Sequence, residues 1–330
     1  MSTKNKHIPC LITIFGATGD LSHRKLFPSI FHLYQQDNLD EHIAIIGIGR
    51  RDITNDDFRN QVKSSIQKHV KDTNKIDAFM EHVFYHRHDV SNEESYQELL
   101  DFSNELDSQF ELKGNRLFYL AMAPQFFGVI SDYLKSSGLT DTKGFKRLVI
   151  EKPFGSDLKS AEALNNQIRK SFKEEEIYRI DHYLGKDMVQ NIEVLRFANA
   201  MFEPLWNNKY ISNIQVTSSE ILGVEDRGGY YESSGALKDM VQNHMLQMVA
   251  LLAMEAPISL NSEDIRAEKV KVLKSLRHFQ SEDVKKNFVR GQYGEGYIDG
   301  KQVKAYRDED RVADDSNTPT FVSGKLTIDN

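Results

Sequence analysis

Four times between residues 9 and 155 a short apolar run gives way to an amphipathic stretch. The runs are "PCLITIFG", "HIAIIGIGRR", "RLFYLAM" and "KRLVIEKPFG". They lack the in–out alternation of a strand with one wet face, so each must be covered on both sides. Strands of that kind, separated by helices, predict a doubly wound α/β domain built on a parallel sheet. "RKLFPSIFHLYQQ" and "DDFRNQVKSSIQKHV" read as two of the covering helices. Pro28 is expected to kink or restart the first, and Asn55 or Asp56 to cap the second. In this architecture ligands gather at the carboxyl ends of the strands.

The pattern changes after about Tyr183. A long helix is expected from Lys186 towards Ala200, then a half-apolar strand in "YISNIQVTSSE" with Ile214, Val216, Ser218 and Glu220 on one face. Another long helix, "GALKDMVQNHMLQMVALLAM", follows, and "TPTFVSGKLTIDN" reads as a strand interrupted at Gly324. The charged stretch "YRDEDRVADDSNTP" reads as an exposed loop. The expected organisation is a Rossmann-like dinucleotide-binding domain over residues 1–181 and an α+β domain with a largely antiparallel sheet over 182–330. A length of 330 residues suits two such cores.

The net charge of −7 gives no reason to expect nucleic acid or an anionic membrane as partner, so an anionic ligand needs a local basic pocket. Cys10 is the single cysteine, which rules out an internal disulfide and reads as a small buried hydrophobe. "MSTKNKHIPC" lacks the apolar core of a signal peptide and no run reaches membrane-span length, so a cytoplasmic protein is expected.

The turn "FGATGD" sets Gly16 and Gly19 between a strand and a helix, where backbone N–H groups face any bound anion. G-x-x-G is shorter than the full G-x-G-x-x-G, and plain bends share it with nucleotide sites. The second strand ends in Arg50 and Arg51, where an NAD site places an acid for the ribose hydroxyl. Such arginines are common at strand ends, but behind this turn they suit a 2′-phosphate and favour NADP. In "YRIDHYLGKDMVQN", an extended Arg179–Tyr183 would send Asp181 and His182 to opposite faces. His182, Tyr183 and Lys186 can then converge near a helix start as a phosphate site. Lys152 precedes Pro153 at a strand end and should reach the crevice above the sheet. His244 lies in line with Met240 and Met248 on an apolar stripe with Leu237, Val241 and Leu251. A lone histidine there is more often a core residue, yet Asp239 and Glu220 are inward-facing polar groups that favour a pocket.

Taken together, "FGATGDLSHRKLFP", "EKPFG", "RIDHYLGK", "RGGYYESSGALKDMVQNHMLQ" and "RGQYGEG" resemble the glucose-6-phosphate dehydrogenase family in order and spacing. The resemblance implies oxidation of glucose 6-phosphate at C1 to 6-phosphogluconolactone with NADP as hydride acceptor, in the oxidative pentose phosphate pathway. It makes His244 the general base and Asp181 the carboxylate that orients it. It assigns His182, Tyr183 and Lys186 to the sugar phosphate, and Lys152, Glu220, Asp239 and Lys25 to the rest of the substrate. Gly16, Thr18, Gly19, Arg50, Arg51 and Lys152 fall on the cofactor side, and no metal is required. The family's chain continues past the position of Asn330, so a shortened form with an incomplete substrate sheet is expected, and the family's homodimer is in doubt for it. A dinucleotide-binding form without catalysis, or a dehydrogenase of another phosphorylated sugar, is the alternative.

Overall fold

The computed structural model describes residues 7–329. The chain divides into two compact units, one ending at Ile180 and the other beginning at Asp181.

The first unit is one parallel sheet. Its strands are β1 (Cys10–Phe15), β2 (Ile43–Gly49), β3 (Val83–Arg87), β4 (Arg116–Leu120), β5 (Lys146–Ile150) and β6 (Ile177–Arg179). Their spatial order is β3-β2-β1-β4-β5-β6, with every neighbouring pair parallel. This is the dinucleotide-binding order, and its switch point lies between β1 and β4. All seven residues of β2 are buried, as an apolar run without alternation requires.

The helices α1 (Phe27–Gln35), α2 (Asn55–His69) and α3 (Ile76–Met80) belong to one face, where Phe27, Phe31, Phe58 and Phe79 pack on Ile14, Ile43 and Ile45. The helices α4 (Ser95–Phe110), α5 (Phe127–Ser136) and α6 (Leu158–Ile168) belong to the other, where Leu99, Ile130 and Ile168 pack with Phe118 and Leu148. Burial of the Cys10 thiol in this sheet pushes its pKa up to about 12, which keeps it protonated and unreactive.

One local expectation holds, with Pro28 restarting the helix, and one needs correction. The first covering helix opens with a π-turn, Ser22–Leu26, before α1 takes over with Pro28 in its first turn. A proline is tolerated there because its missing N–H has no intrahelical role. Helix α2 is capped by Thr54, not by Asn55 or Asp56. Thr54 Oγ1 accepts from the Asp57 N–H at 3.1 Å, and the Asp57 carboxylate accepts from the Thr54 N–H at 3.3 Å. The reciprocal pair satisfies two orphan donors at once, which a cap one residue later would not.

The second unit contains α7 (Asp187–Phe197), α8 (Gly228–Ala236), a π-helix (Leu237–Met245), α9 (Leu246–Ala253), α10 (Ser262–Lys274) and α11 (Ser281–Asn287). Its strands are β7 (Phe288–Gly291), β8 (Gly296–Ile298), β9 (Lys301–Val303) and β10 (Phe321–Gly324). They form two small antiparallel sheets, β7 with β10 and β8 with β9. Residues 211–220 form no strand, because no described segment supplies a ladder for them. The charged stretch after Ala305 is not uniformly exposed: Tyr306 is fully buried and donates its hydroxyl to Glu232 at 2.7 Å. Among the described residues no helix is long and apolar enough to cross a membrane.

Candidate active site

At the switch point of the first unit, β1 delivers the chain into the turn Gly16–Gly19 and a helical stretch that starts at Asp20. Gly16 has φ +84°, and a Cβ there would lie 2.3 Å from the Ala121 carbonyl oxygen. Only glycine fits, and a bare backbone is what a pyrophosphate must approach. The first N–H groups of the following helix have no intrahelical acceptors. Arg50 and Arg51 are exposed directly after β2. A cleft of about 780 Å³ opens beside the turn, with Thr18, His23, Arg51, Asp57 and Lys68 in its wall. Burial, then the positive charge of Arg51, lowers the pKa of His23 there. Turn and arginines thus make a cradle that fits a dinucleotide. Lys25 is exposed on the π-turn, and Lys152 follows β5 at a cis bond to Pro153.

A side-chain cluster of the second unit starts where β6 ends. The expected extended stretch to Tyr183 is instead a tight turn: Asp181 Oδ1 accepts from the Tyr183 N–H at 2.9 Å, and the Leu184 N–H bonds the Asp181 carbonyl at 3.1 Å. An aspartate closing a turn on its own backbone is a common use of this side chain. The turn draws Asp181 and His182 to the same place rather than to opposite faces. Donor atoms of Asp181, His182 and His244 all lie within 4.8 Å of one another.

The centre of the group is the hydrogen bond between His244 Nδ1 and Asp181 Oδ1, at 2.6 Å. The His244 side chain is 1% exposed and that of Asp181 16%. With Nδ1–H donating to the carboxylate, Nε2 keeps its lone pair and can accept a proton. Tyr183 stacks on the imidazole with centroids 4.2 Å apart and 14° between planes, and His182 meets it edge-on at 4.8 Å. Lys186 Nζ sits 3.6 Å from the centre of the Tyr183 ring. Lys186 also stands at the N-cap of α7, where unsatisfied N–H groups favour an anion. With Asp181 holding Nδ1, the pair has the arrangement that lets an imidazole take up a proton at Nε2.

His244 reaches this position by an unexpected route. Of the expected stripe, Leu237 is 41% exposed, while Met248 and Leu251 are buried and Met240 packs against them. In the π-helix, Asp239 and His244 are the buried residues, five apart, which is the π spacing. The turn is wider, so the polar pair turns inward beside the partly buried Met240. Asp239 Oδ1 accepts from the Tyr230 hydroxyl at 2.9 Å. Tyr230 was not singled out in the sequence, although "GGYYE" precedes the helix by less than two turns. Glu220 is exposed, with its carboxylate 4.0 Å from Arg227.

Two family models match consecutive parts of the chain. A family model described as glucose-6-phosphate dehydrogenase, NAD binding domain, matches residues 13–191. A second, the C-terminal domain of the same family, matches residues 193–330. Glucose-6-phosphate 1-dehydrogenase of Bacillus subtilis (strain 168) is 62% identical over 326 residues, covering 99% of this chain and 66% of that protein. The Leuconostoc mesenteroides protein of the same name is 47% identical, over 98% of this chain and 66% of its own. A solved structure described as glucose-6-phosphate dehydrogenase in complex with its substrate glucose-6-phosphate superposes with a TM-score of 0.89 at 39% identity, covering 98% of this chain and 66% of that one. The chain spans slightly less than two thirds of the length of these relatives.

Proposed function

The chain belongs to the glucose-6-phosphate dehydrogenase family, and on that premise we propose that it oxidises glucose 6-phosphate at C1 to 6-phosphogluconolactone with NADP as acceptor. The observation that carries the reading is the buried Asp181–His244 hydrogen bond of 2.6 Å. His244 Nε2 accepts the proton of the C1 hydroxyl as the C1–H bond breaks. Asp181 holds Nδ1–H, fixes the ring and stabilises the imidazolium that forms. The nicotinamide ring supplies the acceptor for the hydride leaving C1.

His182, Tyr183 and Lys186 bind the sugar phosphate. Their grouping at the start of α7, with one full cation in reach, supports that role. Asp239, aligned by Tyr230, binds a sugar hydroxyl, and Glu220, Lys152 and Lys25 complete the substrate contacts by the family's pattern. Gly16, Thr18 and Gly19 receive the pyrophosphate side of the coenzyme. Arg50 and Arg51 take the 2′-phosphate, which an acid at that strand end would repel. Lys152 bridges the two roles. The reaction is placed in the cytoplasm and needs no metal.

The test is reduction of NADP by glucose 6-phosphate, with NAD and unphosphorylated glucose run in parallel. Turnover is expected with the phosphorylated sugar, and faster with NADP than with NAD. His244→Asn is expected to lose about 10²- to 10⁴-fold in kcat, the usual contribution of a general base, while still binding glucose 6-phosphate in a calorimetric titration. Near-normal turnover in that variant would remove His244 from the role. Coenzyme binding without any sugar-dependent reduction would instead leave a dinucleotide-binding protein.

A further inference from the structure

Asp181 has two carboxylate oxygens with different surroundings. Oδ1 carries both hydrogen bonds, from His244 and from the Tyr183 backbone. Oδ2 is buried and, among the described residues, has no hydrogen-bond partner. A buried carboxylate oxygen in that state needs a positive field from elsewhere.

The nearest packed elements supply one. Tyr183, Val189 on α7 and Val272 on α10 share one apolar cluster with Met248 and Leu251, and Ile192 and Ile265 pack against it. Ile265 and Val272 therefore mark the inward stripe of α10. Lys269 lies on that stripe, one turn after Ile265 and one before Val272. By the same spacing Glu193, one turn after Val189, is on the inward stripe of α7. Both side chains are half-buried. Burial lowers the pKa of Lys269, and the carboxylates of Glu193 and Asp181 oppose that effect. Among the described residues Lys269 makes no ion pair, so it is a cation shared between two carboxylates and bonded to neither.

We propose that Lys269 is a positioning residue for the Asp181–His244 pair, its charge balancing the Asp181 carboxylate so that His244 remains unprotonated and ready to accept a proton near neutral pH. This rests on the reading of His244 as the base. Without a counter-charge, a carboxylate 2.6 Å away would favour the imidazolium and disable the base in advance. The other charged and titratable groups around the pair and Lys269 are His182, Tyr183 and Lys186 from the turn, Asp239 and Tyr230 from the helices of the π segment, Glu193 from α7, and Arg266 from α10. Lys269 is a cation of this group in electrostatic reach of both Asp181 and Glu193.

The experiment is a histidine-labelled NMR titration, with the His244 signal assigned by its loss in His244→Asn. Lys269→Met is expected to raise the midpoint of His244 by about one pH unit, a tenfold change in protonation constant. Lys269→Arg should restore it. Glu193→Gln, which removes a negative charge from the same group, should lower it. In turnover, the acid limb of kcat/KM in Lys269→Met should move upward by the same amount, with much smaller loss at alkaline pH than at pH 6. A merely structural lysine would lower activity equally at every pH and leave the titration in place. An unmoved His244 in folded Lys269→Met overturns the proposal. Should that variant not fold, an unmoved His244 in Glu193→Gln does so. A shifted titration in a protein that never reduces NADP would count against the enzyme reading while leaving the charge coupling standing.

Discussion

Tyr230 donates to a buried carboxylate from a helix that ends only a few residues earlier, and its position shows what single residues disclose. Burial, then the charge of Asp239, raises its pKa, so the phenol remains a donor at any physiological pH. Tyr230→Phe is expected to cost about 1–2 kcal/mol in urea unfolding, since a partly buried charged acceptor loses a neutral donor. It should also raise KM for the sugar more than it lowers kcat. Unchanged stability and KM would mean that Asp239 does not depend on this hydroxyl. His244, Asp181 and Lys186 were legible because they sit in dense motifs with few other uses. Tyr230 and Lys269 were not, because a tyrosine and a lysine in helical stretches have many ordinary uses, and only packing reveals their neighbours. The placement of Asp181 opposite His182 failed for a related reason: the aspartate bonds its own backbone, and no periodicity reports that.

Among elements, the strands of the first unit were the most legible, since a buried parallel strand needs an unbroken apolar run and little else satisfies it. The helix carrying His244 was not. Its sequence fits an α-helix, but the structure breaks α8 at Gly235, which has φ +62°, and widens the next two turns. The Ala236 N–H bonds the Pro319 carbonyl at 2.8 Å, and a Cβ on Gly235 would meet Pro319 and Thr318 at 3.2 Å. The break is therefore pinned by a segment more than eighty positions downstream, which local reading does not see. Gly235→Ala should destabilise the second unit by about 1–2 kcal/mol, the usual cost of a left-handed alanine, with a matching fall in the urea midpoint. An unchanged midpoint would show that the break relaxes freely.

At the scale of the molecule, a doubly wound sheet and two units follow from alternation and length, whereas the acid response depends on which histidines the fold buries. His88 is 2% exposed, and burial, followed by the charge of His86, lowers its pKa to about 4. His86 and His23 are lowered in the same direction, first by burial. At His88 the unfolded chain binds its proton near pH 6.5 and the folded one only near pH 4, so this contribution to stability is full above pH 6.5 and falls as the pH drops between those values. For His88 alone the span corresponds to about 3 kcal/mol at its lower end. Urea unfolding at pH 7 and pH 4.5 should show that loss, and His88→Leu should flatten it. An equally steep loss in the variant would assign the acid response to other groups.

The π-helix has a further consequence, for inheritance. Loss of a single codon between Leu237 and Met245 would leave a chain able to close into an ordinary α-helix, a more regular element than the one it replaces. Expression and solubility could pass unaltered. Where the lost codon lies outside the Asp239–His244 span, the pair stays five apart on a helix that turns about 100° per residue, no longer shares one inward face, and the lineage carries a better-formed helix and no base.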